Sequence, residues 1–191
     1  MKKKLGPRPA LYPLPATLVG ATVGGKPNYL TVAHVGILDL RTVSLGMNKA
    51  HHTNSGIKEN GTFSVNIPPE RLVRETDYCG LVSGTKADKA RLFESFYGEL
   101  ETAPMIMECP LNLECRLVQT VDMPNHDIFI GEVVQVYCDE ECLEGDSIDF
   151  LKVQPLLFAM GSPGKMATSS GYYSLGARLA PAWNIGKELM K

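Results

Sequence analysis

Apolar and polar positions along this chain follow the two-residue period of strands more often than the period of a helix. Residues 16–23 (ATLVGATV) and 28–38 (NYLTVAHVGIL) are apolar and β-branched, and Gly24-Gly25-Lys26-Pro27 between them is turn chemistry, so the pair predicts a hairpin. Residues 42–47 (TVSLGM) predict a third strand. In 62–67 (TFSVNI), Phe63, Val65 and Ile67 alternate with Thr62, Ser64 and Asn66, and Pro68-Pro69 stops the run. Two longer β-type runs, 111–121 (LNLECRLVQTV) and 126–137 (HDIFIGEVVQVY), are joined by Asp122-Met123-Pro124-Asn125 into a second hairpin.

Helical signals are short. Thr53 is a candidate N-cap for a helix through Ile57-Lys58-Glu59, ended by Asn60-Gly61. Pro68-Pro69 opens a second helix over Glu70-Arg71-Leu72-Val73, and 88–96 (DKARLFESF) predicts a third. Residues 172–191 have no single period and read as a helix or an arm. Glycines and prolines are scattered instead of gathering into a linker, which predicts a single domain over 1–191. Because the strands come in hairpins and do not alternate with long helices, a doubly wound parallel sheet is disfavoured. A mainly β fold, a small antiparallel barrel with a few short helices, is favoured.

Composition narrows the functions. The 191 residues carry 19 Lys+Arg against 21 Asp+Glu, a net charge of −2, so no positive field gathers nucleic acid. Hydrophobic residues at 44% and charged residues at 21% suit a chain that folds. No run of about 18 apolar residues spans a membrane, and Pro7, Pro9, Pro13 and Pro15 occupy the place of a signal helix. The five cysteines, Cys79, Cys109, Cys115, Cys138 and Cys142, are an odd number without a dense framework, which predicts reduced thiols and a cytoplasmic location.

Common motifs are missing. No G-x-G-x-x-G announces a Rossmann unit, and no G-x-S-x-G or triad spacing predicts a catalytic side chain. Gly161-Ser162-Pro163-Gly164-Lys165 resembles a phosphate loop, but its glycines are too close, Met166 stands where a hydroxyl is needed and no helix is expected to start there; a Gly/Pro turn is the plainer reading. The cysteines lack C-x2-C knuckles, so no metal site is expected. What remains is a polar cluster: Asn28 and Thr31, Ser44 and Asn48, then His52, Thr53, Asn54 and Ser55 at a helix start. Unpaired N–H groups and hydroxyls there suit a phosphate, while Thr53 as a plain N-cap and Asn28 as a turn residue explain the same residues; both readings stay open. For His51-His52 the residues alone read as a helix-entry residue and a solvent-facing neighbour.

Taken together, PNYLTVAHVGI (27–37), VSLGM (43–47), HHTNSGIKENGTFSVNIP (51–68), DYCGLVSGTKADK (77–89), HDIFIGEVVQVY (126–137) and PLLF (155–158) resemble the flavin reductase-like family, especially flavoredoxins, over nearly the whole chain. The H-T-x-x-x-I-x-x-N-x-x-F-S-V-N-I-P run and the S-G-x-x-x-D-K run are the most specific pieces. The resemblance implies a split β-barrel, Greek-key-like and antiparallel, that forms a homodimer with one FMN per subunit. It implies that Asn28, Tyr29, Leu30 and Thr31, with Ser44, Leu45, Gly46 and Met47, line the flavin largely through backbone groups. It places Thr53, with His52 beside it, and Lys89 at the phosphate, and Phe158 against the flavin. Read locally, Lys89 is a solvated surface lysine and Phe158 a core residue. His34 stands where many relatives carry a large aromatic beside the flavin, so tuning of the flavin is expected to differ. The implied activity is an FMN-dependent oxidoreductase fed by NADH, NADPH or a redox protein; an electron carrier independent of NAD(P)H, or a split barrel holding a different ligand, are the alternatives.

Overall fold

In the computed structural model, which describes residues 1–162 and 164–190, seven strands join into one antiparallel sheet. They are β1 (Thr17–Val23), β2 (Lys26–Val32), β3 (Val35–Ile37), β4 (Thr42–Asn48), β5 (Thr62–Ile67), β6 (Leu111–Asp122) and β7 (His126–Cys138), ordered β2-β1-β5-β6-β7-β4-β3. The two edge strands, β2 and β3, are separated only by Ala33 and His34, so the chain steps from one edge to the other and curls the sheet on itself. The Gly46 N–H pins this step by donating to the His34 carbonyl at 2.8 Å. The expected split β-barrel is thus borne out.

Both hairpins form. Gly24 and Gly25, with φ of 56° and 75°, make the tight β1–β2 turn, while Lys26 and Pro27 belong to β2 and not to the turn. Pro27 is tolerated because β2 is an edge. Inside the barrel Val19, Leu30, Leu45, Met47, Phe63 and Phe129 pack together.

Helix α1 (Thr53–Asn60) closes one end of the barrel with Ile57. Thr53 is not its N-cap: the helix begins at Thr53, His52 precedes it without a side-chain cap, and the Thr53 oxygen accepts from Asn28 Nδ2 at 2.7 Å. Gly61 ends the helix with φ of 66°, as its sequence predicts. Gly56 lets α1 lie against β1, since a Cβ there would come to 2.3 Å from the Thr22 carbonyl oxygen. Gly56→Ala is expected to destabilise the fold by about 1 to 3 kcal/mol, lowering the melting temperature by several degrees. An unchanged melt would show that α1 shifts freely.

A 3-10 turn, Glu70–Leu72, leads into α2 (Val73–Leu81), which covers the outer face of β1 and β2 through Cys79 against Leu18, Tyr29 and Phe93. The helix expected over 88–96 is only a 3-10 turn, Lys89–Leu92, followed by a short strand, Ser95–Phe96. The Asp88 carboxylate caps the start of this turn by accepting from the Ala90 N–H, but the Glu108 carboxylate takes the Glu94 N–H that a continuing helix would need. A helical turn, Met166–Ser169, does follow Lys165, against expectation. The Gly161 and Ser162 N–H groups nonetheless donate to the hydroxyls of Ser170 and Ser169, so they are spent within the turn. Pro163 of that motif lies outside the described residues.

A small second sheet gathers distant parts of the chain, Leu14–Pro15 pairing with Leu157–Ala159 and these with Gly171–Tyr173. Beyond it the chain runs as an arm with one 3-10 turn, Ile185–Leu189. Among the described residues no helix is long and apolar enough to cross a membrane.

Candidate functional site

A groove runs from the small sheet, past α2, to the start of α1. Its wide end encloses about 510 Å³ between Thr31, His34, Gly46, His51, Phe158 and Tyr172. His51 and Gly80 also border a narrower passage of about 120 Å³, and His52, Gly84 and Lys89 connect that passage to a polar hollow of about 320 Å³ beside Asn28 and Lys86. The wide end is mostly apolar, and the hollow at the other end is polar and carries Lys86 and Lys89.

The wide end is aromatic. Phe158 meets Tyr172 at 5.6 Å between ring centroids and Tyr12 edge-on at 6.2 Å. Tyr172 Oη donates to Asp77 Oδ1 at 3.0 Å, tying the small sheet to α2, and burial together with this carboxylate pushes the phenol pKa up. Tyr12 Oη and His34 Nε2 are hydrogen-bonded at 3.1 Å, and the His34 and His126 rings lie 6.2 Å apart. Burial lowers the pKa values of His34 and His51, and His126 lowers both further. His51 Nδ1 is buried and has no hydrogen-bond partner among the described residues, an orphan that a ligand in the passage would satisfy.

The narrow end is cationic. Lys89 is 2% exposed, and its ammonium donates to the Cys79 carbonyl at 3.0 Å. None of the ion pairs among the described residues includes it, and burial lowers its pKa. A buried, unpaired cation costs free energy unless an anion joins it. Thr53 is also buried; its oxygen is engaged by Asn28, and its hydroxyl proton remains free to donate. Gly84 brings its loop onto this pair: a Cβ there would sit 2.1 Å from Asn28 Oδ1 and 2.9 Å from His52 Cδ2.

Of the residues expected at the site, Asn28, Thr31, His34, Gly46, His52, Thr53, Lys89 and Phe158 line the groove or its extension, and Leu30 borders the passage while its side chain packs inside the barrel. Lys89 is buried, so its reading as a surface lysine is overturned. The side chains of four others point elsewhere. Tyr29 turns outward, its hydroxyl bonded to Ser95 and the Met105 carbonyl and its ring edge-on to Phe93. Leu45 and Met47 fill the barrel, and the Ser44 hydroxyl faces the Gly36 carbonyl. These four have only backbone to offer a ligand. Missing from the expectation are His51, Tyr172, Asp77, Gly84 and His126. The His51-His52 doublet was the one visible sign of His51, which is half-buried in the groove wall.

The thiols are not poised for chemistry. All five cysteines are free, and burial pushes Cys79 up to about 11 and Cys115 to about 12.

The histidines give a test. Their pKa values are depressed in the fold, so their contribution to stability is complete above about pH 6.5 and is lost as pH falls below it. The urea midpoint is expected to drop from about pH 7.5 to about pH 5.5, and to drop less in the His34→Gln/His51→Gln variant. Equal drops in the two proteins would contradict this.

Comparison with known proteins gives the same direction. A family model described as a flavin reductase like domain matches residues 10–166. Flavoredoxin from Methanosarcina acetivorans is 45% identical, with 100% of both chains covered and a TM-score of 0.93. Flavoredoxin of Desulfovibrio vulgaris (Miyazaki F) is 35% identical over 97% of this chain and 100% of that one, with a TM-score of 0.87. Nitrilotriacetate monooxygenase component B from Bacillus cereus, 19% identical over 95% of this chain and 100% of that one with a TM-score of 0.80, shares the fold. The chain therefore belongs to the flavin reductase-like family.

Proposed function

We propose that this chain is a single-domain, cytoplasmic, homodimeric flavoprotein of the flavoredoxin kind, binding FMN in the groove and passing electrons or a hydride from a reduced donor to an acceptor. The observation that carries the reading is Lys89, a buried cation with no carboxylate partner among the described residues, at the end of a groove whose other end is walled by Phe158 and Tyr172. A terminal phosphate, with a charge of about −1.5 to −2, supplies what Lys89 lacks. Bound FMN supplies the redox chemistry, and the protein supplies binding, orientation and tuning.

In this reading Lys89 and the Thr53 hydroxyl donate to the phosphate, and Asn28 fixes the threonine. His51 Nδ1 meets a polar group midway along the ligand. Phe158 and Tyr172 exclude water at the wide end, and His34, held by Tyr12, sets the polarity beside the ring. No side-chain acid or base is required. The dimer reading draws support from an apolar cavity of about 520 Å³ at the mouth of the barrel, lined by Val35, Ile37, Val43, Ile67, Leu113 and Leu157.

The test is anaerobic addition of NADH, then NADPH, to the coloured protein. Fast bleaching of the flavin band by either nucleotide identifies a pyridine-nucleotide oxidoreductase. Bleaching only by a reduced redox protein identifies an electron carrier, and failure of every donor to reduce a bound flavin sinks the redox reading.

A further inference from the structure

The chain exposes 12123 Å² of surface. A compact monomer of 20.8 kDa exposes about 8,900 Å², leaving an excess of about 3,000 Å². Part of this excess lies in the proline-rich start of the chain, and part in the arm that follows Tyr173. The arm is not composed like a solvated tail. Between residues 179 and 190 it holds Leu179, Trp183, Ile185, Leu189 and Met190, and Leu179, Trp183 and Leu189 are 99%, 96% and 89% exposed. Pro181 and Gly186 interrupt it, so it cannot bury these side chains against themselves as one amphipathic helix.

The location of the arm indicates what covers it. Its root, Leu175 to Arg178, lines a cleft together with Asp149, Phe150 and Leu151, and Phe150 also borders the apolar cavity at the barrel mouth. The root of the arm and the apolar cavity are therefore neighbours, sharing Phe150 between them. A second copy seated there by a two-fold axis lies within reach, since twelve extended residues span up to about 40 Å. Buried on both copies, even half of this excess amounts to about 3,000 Å², the size that extensive homodimers bury. The arm lies beyond the matched family domain, which ends at residue 166, yet the Methanosarcina flavoredoxin is matched along the whole chain.

We infer that residues 174–190 are an exchange arm that packs Leu179, Trp183, Ile185 and Leu189 onto a second copy of this chain across the apolar mouth of its barrel. The inference rests on the homodimer reading and adds to it the segment that holds the two copies together. Trp183, the one tryptophan of the chain, reports on it directly. Sedimentation of the FMN-loaded protein is compared with that of the chain shortened after Tyr173 and with Leu179→Ser, and the visible flavin band confirms that each is folded. The full chain is expected to be a dimer whose Trp183 is shielded from acrylamide and becomes accessible on dilution to monomer. Shortening is expected to weaken the dimer by about 100-fold or more, and Leu179→Ser by about 30-fold. Should the shortened chain dimerise as tightly, with Trp183 as accessible as free indole in the full-length dimer, the arm proposal falls and the homodimer stands. A monomeric full-length protein overturns both.

Discussion

Lys89→Met is expected to weaken FMN binding by about 100-fold while leaving the ligand-free protein at least as stable as before. Methionine has nearly the length of lysine and fills the same buried space, so the loss is that of the charge. Without ligand, Lys89 is a desolvated cation whose ammonium has the Cys79 carbonyl as its partner, and removing such a group is neutral or stabilising. With ligand, the charge-assisted bond to the phosphate is worth about 2 to 3 kcal/mol and disappears. Riboflavin, which lacks the phosphate, provides the control. Fluorescence titration is expected to show that the variant binds riboflavin as the unaltered protein does and no longer prefers FMN. An equal loss for both ligands would place Lys89 away from the phosphate.

Gly84→Ala is expected to lower both FMN affinity, by about tenfold or more, and the melting temperature, by several degrees. The new methyl group would sit 2.1 Å from Asn28 Oδ1 and 2.9 Å from His52 Cδ2. Asn28 cannot retreat without giving up its bond to Thr53, which opens α1. The strain therefore passes from the loop into the helix start, and the same displacement moves the groups that face the phosphate. Lys89→Met thus separates binding from stability, whereas Gly84→Ala couples them. A variant that melts lower but binds FMN normally would show that the loop has no part in holding the ligand.

These two residues also mark what the chain makes legible and what it hides. β5 forms over 62–67 as expected because its alternation is bounded by Gly61 and Pro68, and both hairpins follow from turn residues placed between apolar runs. Such signals are local and survive folding. The burial of Lys89 is not local: a lysine between Asp88 and Ala90 reads as surface until α2 brings the Cys79 carbonyl over it. The same holds for the wide end of the groove, where Tyr12 meets Phe158 only because Leu14 pairs with Phe158, more than 100 residues along the chain. The resemblance to flavoredoxins singled out Phe158, which lines the wide end of the groove, but the Tyr172–Asp77 bond has no sequence signature. Tyr29, Leu45 and Met47 share strands with groove residues, and the alternation of side chains along a strand directs them into packed cores instead.

Whether the groove holds FMN is read most directly from the visible spectrum of the purified protein, with the released chromophore identified by mass. A flavin band from one FMN per chain is expected, restored on adding FMN to stripped protein. A colourless protein that fails to take up FMN on reconstitution would contradict the FMN reading.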